Sequence, residues 1–143
     1  MSLFTGKALV VPWDFSEMSQ ASLQKAIDCV DDPSLIRVVH VATLPPAGEP
    51  GVLWGTVTED SIAEHCQESF AKYCQGKPGY DRVTFTTLFG DPGSQITEYA
   101  ENENAELIII SSHGHTGLAH LFIGSVAERV VRLAHCPVLV LRS

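Results

Sequence analysis

The chain has 143 residues, 45% hydrophobic and 18% charged, the size and balance of one compact domain (residues 1–143) with its own core and no room for a second. Seventeen acidic residues against nine basic ones give a net charge of −8, and so few cations exclude a binder of the DNA or RNA backbone. A small anion stays open, because backbone N–H groups at a helix start hold phosphate without a basic side chain.

No apolar run is long enough to span a bilayer, and Met1 to Lys7 lack the charged and then apolar pattern of a secretion signal. The expectation is a cytoplasmic protein with no membrane partner. Cys29, Cys66, Cys74 and Cys136 form neither a C-x-x-C pair nor a zinc-type spacing, so free thiols are expected.

In chain order, the apolar run Ala8 to Val11 reads as a first strand. Leu23, Ala26, Ile27 and Val30 then repeat at helical spacing. A second strand covers Ile36 to Val41. The connection from Ala42 to about Thr58 is long and rich in Pro and Gly, which suits either a lid or a plain flexible loop. Ile62, Cys66, Phe70 and Tyr73 form the stripe of a second helix. Val83 to Leu88 follows as a strand polar enough for a sheet edge. A third helix is expected at Gly90-Asp91-Pro92, with Asp91 as N-cap and Pro92 in the first turn. Leu107 to Ile110 is a continuously apolar fourth strand, a fourth helix starts at Ser125, and Val138 to Leu141 is the last strand.

Alternating strands and helices imply right-handed crossovers and a doubly wound, mainly parallel open sheet with about four helices on both faces. Ligands of such sheets sit at the carboxyl ends of the strands, where the winding reverses. Pro12-Trp13-Asp14-Phe15-Ser16 follows the first strand; Ser111-Ser112-His113-Gly114-His115-Thr116-Gly117 follows the fourth and leads to Gly124-Ser125-Val126-Ala127-Glu128. The second segment has the parts of a phosphate cradle: glycines that permit close backbone approach, and a helix start whose free N–H groups favour an anion. On spacing alone, Ser125 to Glu128 also reads as a capping box and the glycines as turn residues. Asp14 is likewise either a site residue or a cap for the first helix, with Glu17 three residues on.

The stretch LIIISSHGHTGLAHLFIGSVAERVVRLAHCPVLVL, Leu107 to Leu141, resembles the C-terminal signature of the universal stress protein family. The ATP-binding branch of that family carries G-x-x-G, nine residues, then G-[S/T]. Gly114, the nine residues after it and Gly124-Ser125 match this, while Ser111 replaces the first glycine. Val10 to Ser16 and His40-Val41 resemble the ends of the family's first two strands. The resemblance implies a Rossmann-like five-stranded sheet of order 3-2-1-4-5 and an ATP, ADP or AMP ligand, with Mg²⁺ held by the phosphates. Gly114, Gly124, Ser125 and the backbone of Val126 would surround those phosphates. Asp14 would lie near the ribose or adenine, Val41 would offer backbone hydrogen bonds to the base, and Pro12 and Trp13 would line the pocket. His113 would contact the nucleotide or its own loop. Ser111 would meet the sugar, where its side chain either crowds the ligand or adds a hydrogen bond.

The Walker pattern and G-x-G-x-x-G are both absent, and no nucleophile, base and orienting group can be named together. A stress-response or signalling module that binds ATP or AMP is therefore expected rather than an enzyme. It would be a homodimer through the apolar edge strand Val138, Leu139, Val140 and Leu141. The alternatives are a dimeric interaction protein whose nucleotide site is lost at Ser111, and a slow ATP-hydrolysing or nucleotidyl-transferring enzyme.

Overall fold

The computed structural model describes residues 5–113 and 123–142. Strand β1 (Leu9–Pro12) leads into helix α1 (Glu17–Cys29), a 3-10 turn at Pro33–Leu35, and β2 (Ile36–Ala42). The long connection holds a one-turn helix, α2 (Pro50–Leu53), before α3 (Glu59–Cys74) and a second 3-10 turn at Tyr80–Arg82. Then come β3 (Thr84–Phe89), α4 (Pro92–Asn102), β4 (Leu107–Ser111), α5 (Ser125–Leu133) and β5 (Val138–Leu141).

All five strands are parallel, in the order β3-β2-β1-β4-β5, and the sheet is open. The chain works outward from β1 through β2 to β3, then returns to β4 on the other side of β1. The winding reverses between β1 and β4.

The apolar runs lack polar alternation because both faces of the sheet are covered. Odd and even positions separate into two cores. Leu9, Val11, Ile36, Val38, Leu107 and Ile109 pack with Leu23 and Ala26 of α1 and Phe70 of α3. Val10, Val39, Ile108 and Ile110 pack with Ile96 and Ala100 of α4 and Ala127 and Val130 of α5. Fully burying one such side chain contributes about 1.5–3 kcal/mol, so these two layers rather than the helix caps carry the fold.

Three helix starts follow from capping chemistry. Asp91 caps α4, accepting from Ser94 N, with Pro92 in the first turn as the sequence predicts. Thr58 and Ser61 form a reciprocal capping box on α3. At α1 the cap is Ser16, which accepts from Ser19 N at 3.2 Å, and not Asp14. Asp14 lies two residues too early; its Oδ1 instead accepts the Ser16 N–H at 3.0 Å.

Candidate functional site

A cleft of about 270 Å³ opens at the carboxyl ends of β1, β2 and β4, at the winding reversal. Its floor is apolar, from Pro12, Val39, Val41, Ile96 and Ile110; one side carries Asp14 and Ser19, the other Ser111, Ser112, His113 and the start of α5.

The turn after β1 is clamped to β2. Trp13 N–H donates to Val39 O at 2.7 Å, and the Trp13 carbonyl accepts from His40 Nδ1 at 2.7 Å. Because a carbonyl can only accept, Nδ1 carries the proton. The chain then turns sharply through Phe15, whose φ of +64° is uncommon for a bulky residue. The Phe15 ring packs edge-on against His40 at 5.0 Å and Trp13 at 6.0 Å, contacts that help hold this backbone. The turn folds the Asp14 carboxyl back over the start of α1. Oδ1 accepts from Ser16 N, from Ser16 Oγ and from Ser19 Oγ at 2.5 Å, and Ser19 Oγ in turn accepts from Asp14 N at 3.0 Å. Asp14 is thus fixed by α1 rather than capping it.

On the far side, β4 ends at Ser111, a half-buried residue whose hydroxyl donates to His113 O at 2.8 Å. Ser112 N–H bonds to Leu141 O at 2.8 Å, and Ser112 O accepts from Gly124 N at 2.6 Å. That last bond closes the connection between β4 and α5, and it occupies the Gly124 N–H. A Cβ at Gly124 would stand 3.0 Å from Ser112 O, so the glycine is needed for close approach, its φ of −63° being open to any residue. Gly124 is also the N-cap of α5, without a side-chain cap bond, so the capping box starting at Ser125 does not form. The first helical bond is Glu128 N to Gly124 O. The N–H groups of Ser125, Val126 and Ala127 precede it and point outward from the helix start. An anion at this position meets these three groups and the positive end of the helix dipole.

Among the residues singled out from the sequence, Pro12, Trp13, Asp14, Val41, Ser111, His113, Gly124, Ser125 and Val126 all border this one cleft. Gly114 lies outside the described residues. The Trp13 ring belongs to the α1/α3 core, 5.1 Å from both Phe70 and Tyr73 and only 4% exposed. Its parity with Leu9 and Val11 along the strand was the available sign. His113 is buried at the cleft wall. Ser19, Pro92, Ile96, Ser112 and Ala127 were not anticipated. For Ser19 the signal was its place one turn into the helix that follows Asp14. For Pro92 and Ile96 it was that α4, like α5, begins beside the strand ends.

Outside the cleft lining, Arg129 of α5 reaches α4, with Nε on Asp91 Oδ2 at 2.9 Å and a second bond to Ser94 Oγ at 3.2 Å. Hydrogen bonds from Ser94, assisted by Arg129, hold the Asp91 carboxyl below the usual range. Among the described residues no group of three His, Cys, Asp or Glu side chains could hold a metal ion. No helix there is long and apolar enough to cross a membrane.

The strand order and the crevice at the reversal define a doubly wound α/β protein with its cleft between β1 and β4. Residues 6–142 match the sequence model of the universal stress protein family, and the chain belongs to that family. It is 42% identical to universal stress protein MJ0577 of Methanocaldococcus jannaschii over 153 aligned positions, covering 95% of this chain and 94% of the relative. Universal stress protein UspA from Lactobacillus plantarum shares the fold at a TM-score of 0.75 and 22% identity, over 97% of this chain and 99% of that one. The universal stress protein from Archaeoglobus fulgidus in complex with dAMP superposes at a TM-score of 0.58 and 19% identity, over 96% and 98% of the two chains.

Proposed function

We propose that this chain binds an adenine nucleotide in the β1/β4 cleft and works as a homodimeric, nucleotide-dependent module in a stress response or signalling. The observation that carries the reading is convergence. Residues from three separated segments that carry the family resemblance border one cavity whose far wall holds the start of α5, where among the described residues no backbone carbonyl accepts from Ser125, Val126 or Ala127. The Archaeoglobus fulgidus relative in complex with dAMP supports the same ligand class. In this reading Ser125 and Val126 meet phosphate, Asp14 meets the ribose or base, and Val41 offers its backbone to the base. Any Mg²⁺ rides on the phosphate oxygens.

The alternative of an interaction protein with a lost site drew on Ser111. The Ser111 hydroxyl donates to His113 O, and Ser111→Gly separates the two readings, since markedly tighter nucleotide binding in that variant favours obstruction.

The test is to denature purified protein and weigh what is released, then to titrate stripped protein with AMP and ATP. Saturable binding is expected, weakened about tenfold in Gly124→Ala, whose Cβ would push Ser112 O and the start of α5 apart. No released nucleotide together with no saturable binding removes the proposal.

A further inference from the structure

We propose that the connection between β2 and α3 is a docking surface for a partner protein, engaged through a basic amphipathic segment that closes over Leu53 and Trp54. This surface is separate from the nucleotide reading, since no residue from 43 to 58 is among those lining the cleft.

Leu53 and Trp54 are the most exposed large apolar side chains among the described residues, at 67% and 78%. Two such neighbours are costly to leave in water, and covering them is favourable. They stand at the end of the one-turn helix α2, on a turn that is built rather than slack. Leu53 N–H donates to Glu49 O at 3.0 Å and Trp54 N–H to Pro50 O at 2.9 Å. Beyond them the N–H groups of Thr56 and Val57 both return to Gly51 O, at 2.8 and 2.9 Å, and the Thr56 hydroxyl donates to the same oxygen at 3.0 Å. A Cβ at Gly51 would stand 2.5 Å from Val57 Cγ2, so this closure needs the glycine. Thr58 then caps α3. With the backbone beneath them fixed, the two side chains can be covered without first ordering the chain, and a tryptophan so presented is the typical anchor of a protein interface.

Charge defines the partner. From Val38 to Ala71 there is no Lys or Arg, while Glu49, Glu59, Asp60, Glu64 and Glu68 all fall in that span. Three of these acids flank the turn itself: the Glu49 carbonyl holds the Leu53 N–H, and Glu59 and Asp60 open α3 directly after Val57 and Thr58. All three are exposed. The complementary surface therefore sets apolar side chains among Lys or Arg, whose cations also sit favourably over an indole face. A second copy of this chain, of net charge −8, and an anionic bilayer are both repelled by the same acids.

The probe is a synthetic helical peptide of about 18 residues, with Leu on one face and Lys on the other, titrated into the full chain at about 0.15 M salt. Trp54 emission should move to the blue as the peptide saturates, the other tryptophan, Trp13, being buried already. Trp54→Ala, at an exposed position, should leave the far-UV spectrum intact, weaken the peptide about tenfold and abolish the shift. Glu59→Gln with Asp60→Asn should weaken it about threefold, and the same peptide carrying Glu in place of Lys should not bind. Equal affinity for wild type and Trp54→Ala, or no saturable binding of the Lys peptide, overturns the proposal. A blue shift on phosphatidylserine vesicles with none on the peptide overturns it in favour of a membrane surface. Each of these outcomes leaves the nucleotide reading where it stands.

Discussion

Ser111 occupies the place of a family glycine, and its consequences are local. Glycine is required where φ is positive or where a backbone passes too close for a Cβ. Among the described residues, Phe15 and Asn104 are the non-glycine positions with positive φ, so Ser111 sits in ordinary backbone. Its hydroxyl donates to His113 O, which helps curl the chain as it leaves β4. Ser111→Gly should therefore lower stability by about 1 kcal/mol, from a lost hydrogen bond and added chain entropy, without tightening AMP binding. Urea denaturation and AMP titration of the same mutant check both halves. A markedly tighter complex would show that the serine obstructs the sugar. Position 111 was visible in the sequence as a departure from a motif. What its hydroxyl touches was not, because the partner is a backbone carbonyl whose direction depends on the turn.

At the level of elements, the two sheet edges differ in chemistry. β3 presents Thr84, Thr86 and Thr87 and ends one side of the sheet, which suits exposure. β5 is a wholly apolar edge, Val138-Leu139-Val140-Leu141, hydrogen-bonded on one side to β4 and, among the described residues, paired with no strand on the other. Leu139 is 38% exposed, and Val131 and Leu133 of neighbouring α5 are exposed as well. An unpaired apolar edge beside an apolar helix face is the kind of surface that self-association covers. Sedimentation at micromolar concentration should give twice the 15.5 kDa chain mass. Leu139→Lys, a charge placed on the edge, should shift it to monomer. A wild-type monomer under those conditions counts against the dimer. Element types and their approximate bounds were readable from apolar spacing. Their caps were less so: Ser16 rather than Asp14 starts α1, because the left-handed Phe15 delays the helix by two residues, and no glycine or asparagine announces that bend.

For the molecule as a whole, the pH dependence of stability has a worked sign on the alkaline side. Burial pushes the Cys74 thiol from 9.0 up to about 11 and the Tyr80 hydroxyl from 10.0 up to about 12. Cys66, Tyr73, Tyr99 and Cys136 are raised in the same direction by the same cause. A folded value above the unfolded one means that the native state keeps its proton longer. The contribution is complete below the unfolded values and is lost as pH rises through the folded ones. The urea midpoint should therefore lose these contributions between about pH 9 and pH 12. Cys74→Ala should make the decline that starts near pH 9 shallower, the remainder there coming from Cys66 and Cys136. An unchanged profile in that mutant would show that the Cys74 thiol titrates alike in the folded and unfolded chain.

The sequence by itself determined the five strands, the four longer helices and the segment that matches the family motif. Each depends on periodicity or spacing along the chain, and burial on both faces leaves its record in unbroken apolar runs. Tertiary structure decided what depends on distance across the chain. The Trp13 ring faces the α1/α3 core, the Gly124 N–H is taken by Ser112 O, and Arg129 is held by Asp91 on another helix. A hydrogen bond or ion pair between segments tens of residues apart follows from how the elements pack, and no local pattern encodes it.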